Sequence, residues 1–416
     1  MASTVDKITI EGVDIPLIYE EDKRLPLVSL QLVFKQSGSI ENDEHPGLAK
    51  MTAKLLNEGT KSLGAIGFAK ALDAKALHLS VHSGTETFVI ELTTLKEHFS
   101  EGLKLTHDLI SEPNFTEKTL EKAKVMTLGA LSRKENDYDY TASNALKASL
   151  FKGTVLEHPS TGSVEDVKKI SLADIKTFKK EHMVLSRSVI VIGGDISLED
   201  AKKQLTLLFA DLPKGSSSKL PFIALAKKPQ SVTLERETEQ AYIYFGSPYN
   251  MRVGDEDEYI SRVATFILGA GGFGSRLMEE IRVKRGLAYS AYARVHAARS
   301  NVYFSGYLQT KLESQKEAQE TIKEVIAHFV KEGVTQEELD QAKKFLLGSE
   351  PLRVETLSQR LSRSFQEVYK SQPLGSSFKE LEKIEKLDLA TLNNYIKKHT
   401  EINDLTFAIV TNKTEQ

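Results

Sequence analysis

The chain has 416 residues, no cysteine and a formal net charge of −3, with 40% hydrophobic and 27% charged residues. This length suits two or more domains, and the composition is that of an ordinary globular protein. The nearly balanced charge does not indicate a basic surface that would bind nucleic acid. No apolar run approaches the length that is needed to cross a bilayer. The absence of cysteine excludes disulfides, thiolate metal sites and a cysteine nucleophile.

Residues 1–22 lack the basic region and the continuous apolar stretch of a signal peptide. We therefore expect a cytoplasmic protein, or a periplasmic one if a signal has been removed.

Hydrophobic periodicity predicts alternating strands and helices in the first half. Residues 7–35 fit two strands around a turn, because Ile8, Ile10 and Val13 precede the alternating run Val28–Phe34. The elements expected next are helices at 46–57 and 64–75, a hairpin at 76–93, helices at 95–111, 116–133 and 171–182, a buried strand at 188–195 and a helix at 198–210.

The composition changes at Pro213–Pro221, which is the best linker candidate in the chain. It divides the chain into an N-terminal domain (1–212), a linker (213–221) and a C-terminal domain (222–416). In the second domain we expect a strand at 240–246, a helix at 255–268, a glycine-rich turn and a further helix, a hairpin near 287–308, helices near 313–331, 335–347 and 388–399, and a strand at 405–410.

Two segments of the first half recur in the second at nearly the same offset. Glu165–Met183 matches Glu382–Thr400 at an offset of 217, and Thr116–Lys124 matches Thr335–Lys343 at an offset of 219. Either match alone is weak, since amphipathic helices resemble one another. Two matches in the same order predict an internal duplication into two α+β domains, each an antiparallel-rich sheet covered by helices on one side.

The segment Gly38–Thr60 resembles the frame of an inverted zinc-peptidase motif. In H-x-x-E-H, two histidines on one helix face bind zinc, and the glutamate acts as general base. Here the five positions read KMTAK, so Lys50 and Lys54 replace the histidines and Ala53 replaces the base. Ammonium groups repel a dication, and we expect no catalytic zinc at this place.

Further motifs extend the resemblance over nearly the whole chain. They are His158-Pro159, Ile170–Phe178, Val191–Asp195, Gln240–Tyr242, Leu268–Leu277 and Arg285–Tyr289. With the Gly38–Thr60 frame, their order and spacing make the chain similar to peptidase family M16, the pitrilysin-like family, and to its short bacterial members related to mitochondrial processing peptidase. The resemblance implies the LuxS/MPP-like metallohydrolase fold, with two homologous domains forming half of a clamshell.

The resemblance also places the family's third zinc ligand, a glutamate, at Ala130, and an upstream glutamate at Ala123. Both histidines, the base and the remote ligand are thus replaced together, by Lys50, Lys54, Ala53 and Ala130. Catalytic zinc needs three protein ligands and an open water position. We therefore expect this chain to bind no metal.

His78 and His82 are the only histidines at i, i+4 spacing. Because Leu77, Leu79 and Val81 alternate with polar residues and no glutamate lies between, we interpret the pair as two histidines on the polar face of a strand.

The glycine-rich segment Gly269–Gly274 follows a predicted helix, and no βαβ unit with a downstream acid is evident, which disfavours a dinucleotide site. Its glycines would let the backbone turn sharply between two helices. In processing-peptidase-like proteins, a glycine-rich loop of the non-catalytic subunit touches substrate. The resemblance therefore also offers Gly271, Gly272 and Gly274 as a substrate loop.

Arg282 and Tyr289 have the spacing of the family's arginine–tyrosine pair. The resemblance implies that they bind the substrate backbone and stabilise the tetrahedral oxyanion, roles that suit a guanidinium and a phenol. Without the family frame, Arg282 would be a solvated helix residue and Tyr289 a hairpin residue in the core.

These features predict the zinc-free subunit of a heterodimeric zinc metalloendopeptidase, inactive alone. The partner would be a homologous subunit that carries H-x-x-E-H and binds zinc, and the substrate a peptide or unfolded protein; nucleic acid and membrane are not expected as partners. The alternatives are a catalytically inactive structural subunit, like the core proteins of a respiratory complex, and a peptide-binding homodimer without chemistry. A self-sufficient peptidase with a displaced metal site has no supporting ligand cluster.

Overall fold

The computed structural model describes residues 3–42, 44–209 and 211–413. Its strands, in chain order, are β1 (Thr4–Ile10), β2 (Val13–Glu21), β3 (Leu27–Lys35), β4 (His78–Ser83), β5 (Thr87–Leu95), β6 (Ser188–Gly194), β7 (Val232–Glu235), β8 (Gln240–Pro248), β9 (Ala288–Ala297), β10 (Val302–Lys311) and β11 (Thr406–Thr411).

The helices of the described residues are α1 (Leu48–Leu56), α2 (Gly64–Asp73), α3 (Phe99–Ser111), α4 (Glu117–Arg133), α5 (Tyr138–Leu150), α6 (Val164–Lys169), α7 (Leu172–His182), α8 (Leu198–Leu208), α9 (Glu258–Thr265), α10 (Arg276–Met278), α11 (Gln315–Glu332), α12 (Gln336–Gly348), α13 (Leu357–Tyr369), α14 (Ser376–Lys386) and α15 (Leu389–Lys398). Within the described ranges, none of them is both long and apolar enough to span a membrane.

The chain divides into two compact units, each discontinuous in sequence. Unit 1 comprises Met1–Ser132, His158–Leu220 and Arg353–Tyr369, and unit 2 comprises Arg133–Glu157, Pro221–Leu352 and Lys370–Gln416. The chain therefore leaves the first unit near Leu220, at the end of the predicted linker 213–221. The chain also passes from one unit to the other at further points, so each unit combines segments from both halves of the chain. The contiguous domains 1–212 and 222–416 describe the two copies of the sequence repeat and remain a prediction.

Each unit contains one mixed sheet. The order is β1-β2-β6-β3-β5-β4 in unit 1 and β7-β11-β8-β10-β9 in unit 2. Among the strands of the described residues, the parallel pairs are β2 with β6 and β7 with β11, and the other pairs are antiparallel. Without β1, the two sheets have the same topology, which supports the predicted duplication. The α+β class with antiparallel-rich sheets is confirmed.

The N-terminal segment differs from the prediction. Residues 4–35 form three strands rather than two, because Val13–Glu21 is a strand of its own that pairs antiparallel with β1 and parallel with β6. Its run VDIPLIYEE hides the alternation, since it contains a proline and ends in two glutamates.

Both faces of each sheet are covered, not one face alone. In unit 1 one face carries the main core, and Leu361, Phe365 and Tyr369 of α13 pack on the other. In unit 2 the second face is covered by α5, through Leu146 and Leu150. This is why β6 is buried along its whole length. The two covering helices come from equivalent positions of the repeat, and each lies in the unit built mainly from the other half of the chain.

A glycine in each sheet allows the covering helix to approach closely. A Cβ on Gly193 of β6 would lie 3.0 Å from the Leu361 side chain, and one on Gly246 of β8 would lie 2.9 Å from the Leu150 side chain. A larger residue at either place would push the helix away from the sheet.

Arg360 fixes α13 to the sheet by charge as well as by packing. Its guanidinium donates to Glu20 at 2.6 Å and to Asp22 at 2.7 Å. The Glu20 side chain is only 2% exposed. Arginine hydrogen bonds from Arg24 and Arg360 hold the pKa of Asp22 well below its usual range.

Replacing Arg360 should therefore destabilise unit 1 strongly. Arg360→Met leaves the buried Glu20 carboxylate without its cation, and we expect a loss of about 3–5 kcal/mol in the free energy of unfolding, measured by urea titration with circular dichroism. Arg24→Met is the matched control. It removes the other arginine from Asp22, but its side chain is 66% exposed, so the loss should be much smaller than that of Arg360→Met. Equal losses would contradict this account.

Candidate functional site

The first candidate region lies on α1 in unit 1. This helix begins after Gly47, whose φ of 94° is left-handed, and a Cβ on Gly47 would lie 2.4 Å from the Thr161 carbonyl oxygen. Leu48, Met51 and Leu55 are buried in the core. The glycine and the apolar residues thus fix the helix, and its Lys50 and Lys54 side chains are half-buried.

Helix α1 is also tied to the edge of the sheet. The Asn57 side chain donates to the Val81 carbonyl oxygen at 2.8 Å and accepts from the Val81 N–H at 2.9 Å. These two bonds satisfy the backbone of the edge strand β4 at this residue. His78 and His82 lie exposed on the same strand, as predicted.

Lys54 makes the contact that characterises this region. Its ammonium donates to the Thr127 hydroxyl at 2.5 Å, and that hydroxyl in turn donates to the Ala123 carbonyl oxygen at 2.7 Å. Burial lowers the pKa of Lys54. Lys50 contacts Thr161 at 3.4 Å. The sequence reasoning did not single out Thr127, although it shares a helical face of α4 with Ala123 and Ala130.

The residues at these positions do not fit a zinc ion. The two lysines present ammonium groups with no free electron pair, and Ala53 and Ala130 have no donor atom. Among residues 3–42, 44–209 and 211–413, no group of three or more histidine or acidic side chains could hold a metal. A lysine–threonine contact between α1 and α4 lies at the positions that the sequence resemblance predicts for the metal ligands.

The second candidate region lies in unit 2 and contains the predicted arginine and tyrosine. Residues 266–270 and 279–284 are π-helical, a widened helix form that often occurs at functional sites. Gly272 and Gly274, in the loop between them, have left-handed φ angles of 63° and 91°. The loop therefore turns between two helical segments, as the sequence predicted.

The structure brings Arg282 and Tyr289 together and adds a third residue, Phe273 from the glycine-rich loop. The guanidinium carbon of Arg282 lies 4.2 Å from the centre of the Tyr289 ring and 4.6 Å from that of Phe273. Tyr289 is 81% exposed and Phe273 71% exposed. Tyr289 therefore does not fill the core. In the sequence, Phe273 could have been singled out as a large aromatic residue within a run of glycines.

The positive charge of Arg282 is not neutralised by a carboxylate of the described residues, whereas the charges of Arg276 and Arg285 are. Arg276 forms a bidentate ion pair with Glu338, with N···O distances of 2.6 and 2.8 Å, and Arg285 pairs with Glu324 at 3.0 Å. Arg282 has no carboxylate within ion-pair distance among the residues that the structure describes. Cation–π contacts orient its guanidinium without neutralising it.

Comparison with known proteins gives matches over most of the chain. The sequence profile described as "Insulinase (Peptidase family M16)" matches residues 17–164, and that described as "Peptidase M16 inactive domain" matches residues 169–346. A Helicobacter pylori protein described as "Non-peptidase homolog YmxG" is 44% identical over 412 residues, which cover 99% of this chain and 95% of that protein.

Solved structures agree with these matches. The crystal structure of a peptidase M16 inactive domain from Pseudomonas fluorescens has a TM-score of 0.91 and 25% identity, covering 100% of this chain and 99% of that one. A protease from Helicobacter pylori has a TM-score of 0.85 at 15% identity, covering 98% and 100% of the two chains, which supports the fold alone.

If α1 and α4 keep the geometry of a metal site, restoring the ligands should restore zinc binding. Ala130 lies three residues beyond Thr127 on α4, so it faces the same side as the residue that touches Lys54. We expect the combined variant Lys50→His, Ala53→Glu, Lys54→His and Ala130→Glu to hold one zinc per chain after dialysis, measured by atomic emission, whereas the unaltered chain holds no stoichiometric zinc.

The matched control keeps Ala130 and carries the other three changes. It lacks the third ligand and should lose zinc during dialysis. A correctly folded four-residue variant that retained no more zinc than this control would show that Ala130 is not at the ligand position.

Proposed function

The chain belongs to peptidase family M16, and we propose that it serves there as the zinc-free subunit of a two-chain metalloendopeptidase. A homologous partner that carries H-x-x-E-H would hold the zinc. This chain would contribute Arg282 and Tyr289 to the binding of an extended peptide or unfolded protein. On its own it cleaves nothing.

The observation that carries this proposal is the state of Arg282. Its guanidinium contacts two exposed rings and pairs with no carboxylate of the described residues, so it can bind the carbonyl oxygens of a peptide with charge-assisted hydrogen bonds. The exposed Tyr289 brings a phenol that can donate to an oxygen on which negative charge develops. An arginine retained only for stability would be expected to pair with a carboxylate, as Arg276 and Arg285 do.

The region around α1 supports the same division of roles. Lys50 and Lys54 are positively charged where the family has neutral histidines, so a dication is repelled rather than bound. The fold that carries the ligand positions is nevertheless intact. A subunit that had lost all function would have no reason to keep the Arg282 arrangement.

A second candidate is a catalytically inactive structural or peptide-binding protein. The relative described as a non-peptidase homologue favours it, because that protein is 44% identical over 99% of this chain. In this case Arg282 and Tyr289 could bind peptides without taking part in cleavage. The two candidates differ in what the Arg282 substitution does to a complex with the partner.

We expect Arg282→Ala to lower the turnover of the complex with the co-purifying H-x-x-E-H partner by roughly 10²–10³-fold, because a preorganised donor to the oxyanion is lost. The measurement is cleavage of an unstructured fluorogenic peptide by the purified complex, with this chain alone as the blank.

Lys284→Ala is the matched control, because it removes an exposed cation two residues away that pairs only with Glu280 in the described part of the chain. It should leave turnover unchanged. Zinc-dependent cleavage by the lone chain would contradict the proposal, and an Arg282→Ala complex with full activity would favour the inactive alternative.

Replacing Phe273 should lower the turnover of the complex less than replacing Arg282 does, but more than replacing another exposed aromatic residue. Phe273→Ala removes one of the two rings that orient the guanidinium, and an exposed cation–π contact is worth about 0.5–1 kcal/mol, so we expect roughly a 2–5-fold loss of turnover in the same assay. Phe345→Ala, which removes an exposed phenylalanine that stacks on Phe266, is the control. Equal effects of the two variants would mean that Phe273 does not act through Arg282.

A further inference from the structure

A separate cavity of about 390 Å³ lies in unit 2, between α5 and the second face of the sheet. Helix α5 contributes Ser143 and Lys147 to its wall, and the strands β8, β9 and β10 contribute Tyr244, Arg294 and Tyr307. The volume is in the range of small-molecule sites. None of its lining residues belongs to the two candidate regions described above.

The cavity carries positive charge without a counter-ion. Lys147 and Arg294 line it, and none of its lining residues is an aspartate or glutamate. Within the described residues, the Lys147 ammonium has no hydrogen-bond or ion-pair partner. Burial lowers the pKa of Lys147, which means that the charged form loses hydration without gaining a protein anion in return.

The acid on α5 that comes nearest in sequence is already engaged elsewhere. Asp139 accepts from the Tyr244 hydroxyl at 3.1 Å and from Gln309 at 2.6 Å. It lies eight residues before Lys147 on the same helix, a rise of about 12 Å. Asp139 therefore holds Tyr244 in place and does not pair with Lys147.

His296 fixes Arg294 in the cavity while remaining neutral. Burial and the positive charges of Arg294 and Lys147 lower its pKa to about 4. The ring stacks on Tyr303 with centres 4.5 Å apart. Its Nε2 accepts from the Arg294 Nε at 3.3 Å and contacts the Ser305 hydroxyl at 2.8 Å, so the ring proton is on Nδ1. The terminal nitrogens of Arg294 have no hydrogen-bond partner in the part of the chain that the structure describes, so they are available to a ligand.

The equivalent face of unit 1 shows what a structural cation looks like in this fold. There Arg360 of α13 pairs with Glu20 and Asp22 of the sheet. Unit 2 places tyrosines, not carboxylates, beneath α5. The excess of positive charge is thus particular to this cavity and is not a general feature of the covering helices.

We propose that this cavity binds a carboxylate carried on an aromatic or apolar body, either a small organic acid or the C-terminal residue of a peptide. Lys147 and Arg294 would bind the carboxylate, and the walls formed by Tyr292, Tyr307 and Tyr244 would contact the body. Tyr244 and Tyr307 are stacked at 5.4 Å, and Tyr292 lies 6.0 Å from Tyr307. A phosphate dianion fits less well, since Lys147 is in the last turn of α5, where the helix dipole is negative.

The test is calorimetric titration of the full chain with N-acetyl-L-phenylalanine and with its amide, and of an alanine-rich peptide ending in phenylalanine with a free or an amidated C-terminus. We expect the free carboxylates to bind and the amides not to bind. Preference for the amino acid over the peptide identifies a small acid as the ligand, and equal binding of the two identifies a peptide C-terminus. Equal binding of acid and amide, or stronger binding of inorganic phosphate, would overturn the proposal.

Lys147→Met should weaken binding by at least roughly tenfold, because a hydrogen bond between charged groups is lost. Lys152→Met removes an exposed lysine just after α5 and should change nothing. The unfolding midpoint in urea should not fall in Lys147→Met, since the charge has no protein partner. A fall in the midpoint together with unchanged binding would assign Lys147 a structural role.

Arg294→Gln, at an exposed position, gives a second variant with the same expected loss of binding. The proposal is independent of the chain's role in proteolysis.

Discussion

Each sheet of this protein has two apolar faces, and both must be covered before the sheet is stable. The helices of the same half of the chain cover only one face. The second face is closed by α13 in unit 1 and by α5 in unit 2, and Gly193 and Gly246 allow these helices to approach the strands. The rest of the structure depends on these two sheets. Helix α1 is held to the edge strand β4, and a π-helical segment packs against β9 where Gly269 meets Ala293.

The cations of the described residues differ in how their charge is compensated. Arg276, Arg285 and Arg360 are paired with carboxylates and hold helices in place. Lys54 is held by a hydroxyl group, and Arg282 by two aromatic rings. A cation without a carboxylate partner retains its attraction for an outside anion or a developing oxyanion. This difference is the basis of the binding roles proposed for Arg282 and Lys147.

Much of both candidate regions could be predicted from the sequence, because it depends on local pattern. The frame around α1, the strand with His78 and His82, and the glycine loop all follow from apolar spacing and turn residues. The helices α5 and α13 were not predicted. The α5 sequence begins Tyr-Asp-Tyr-Thr and buries only Ala142, Leu146 and Leu150, so neither its helix propensity nor its apolar stripe is strong. Contacts made only in three dimensions, such as those of Thr127 and Lys147, leave no periodic pattern in the sequence that would predict them.

The crossing of α13 into unit 1 has a consequence for how the protein is made. The strands of the six-stranded sheet have all been synthesised by Gly194, but the helix that covers their second face ends at Tyr369. At translation rates of about 5–20 residues per second, the nascent sheet waits roughly ten to thirty seconds with an apolar face uncovered. During this interval the emerging chain exposes apolar surface, which makes it prone to aggregation. The order in which the segments leave the ribosome therefore influences the protein's risk of aggregation, as its final stability also does.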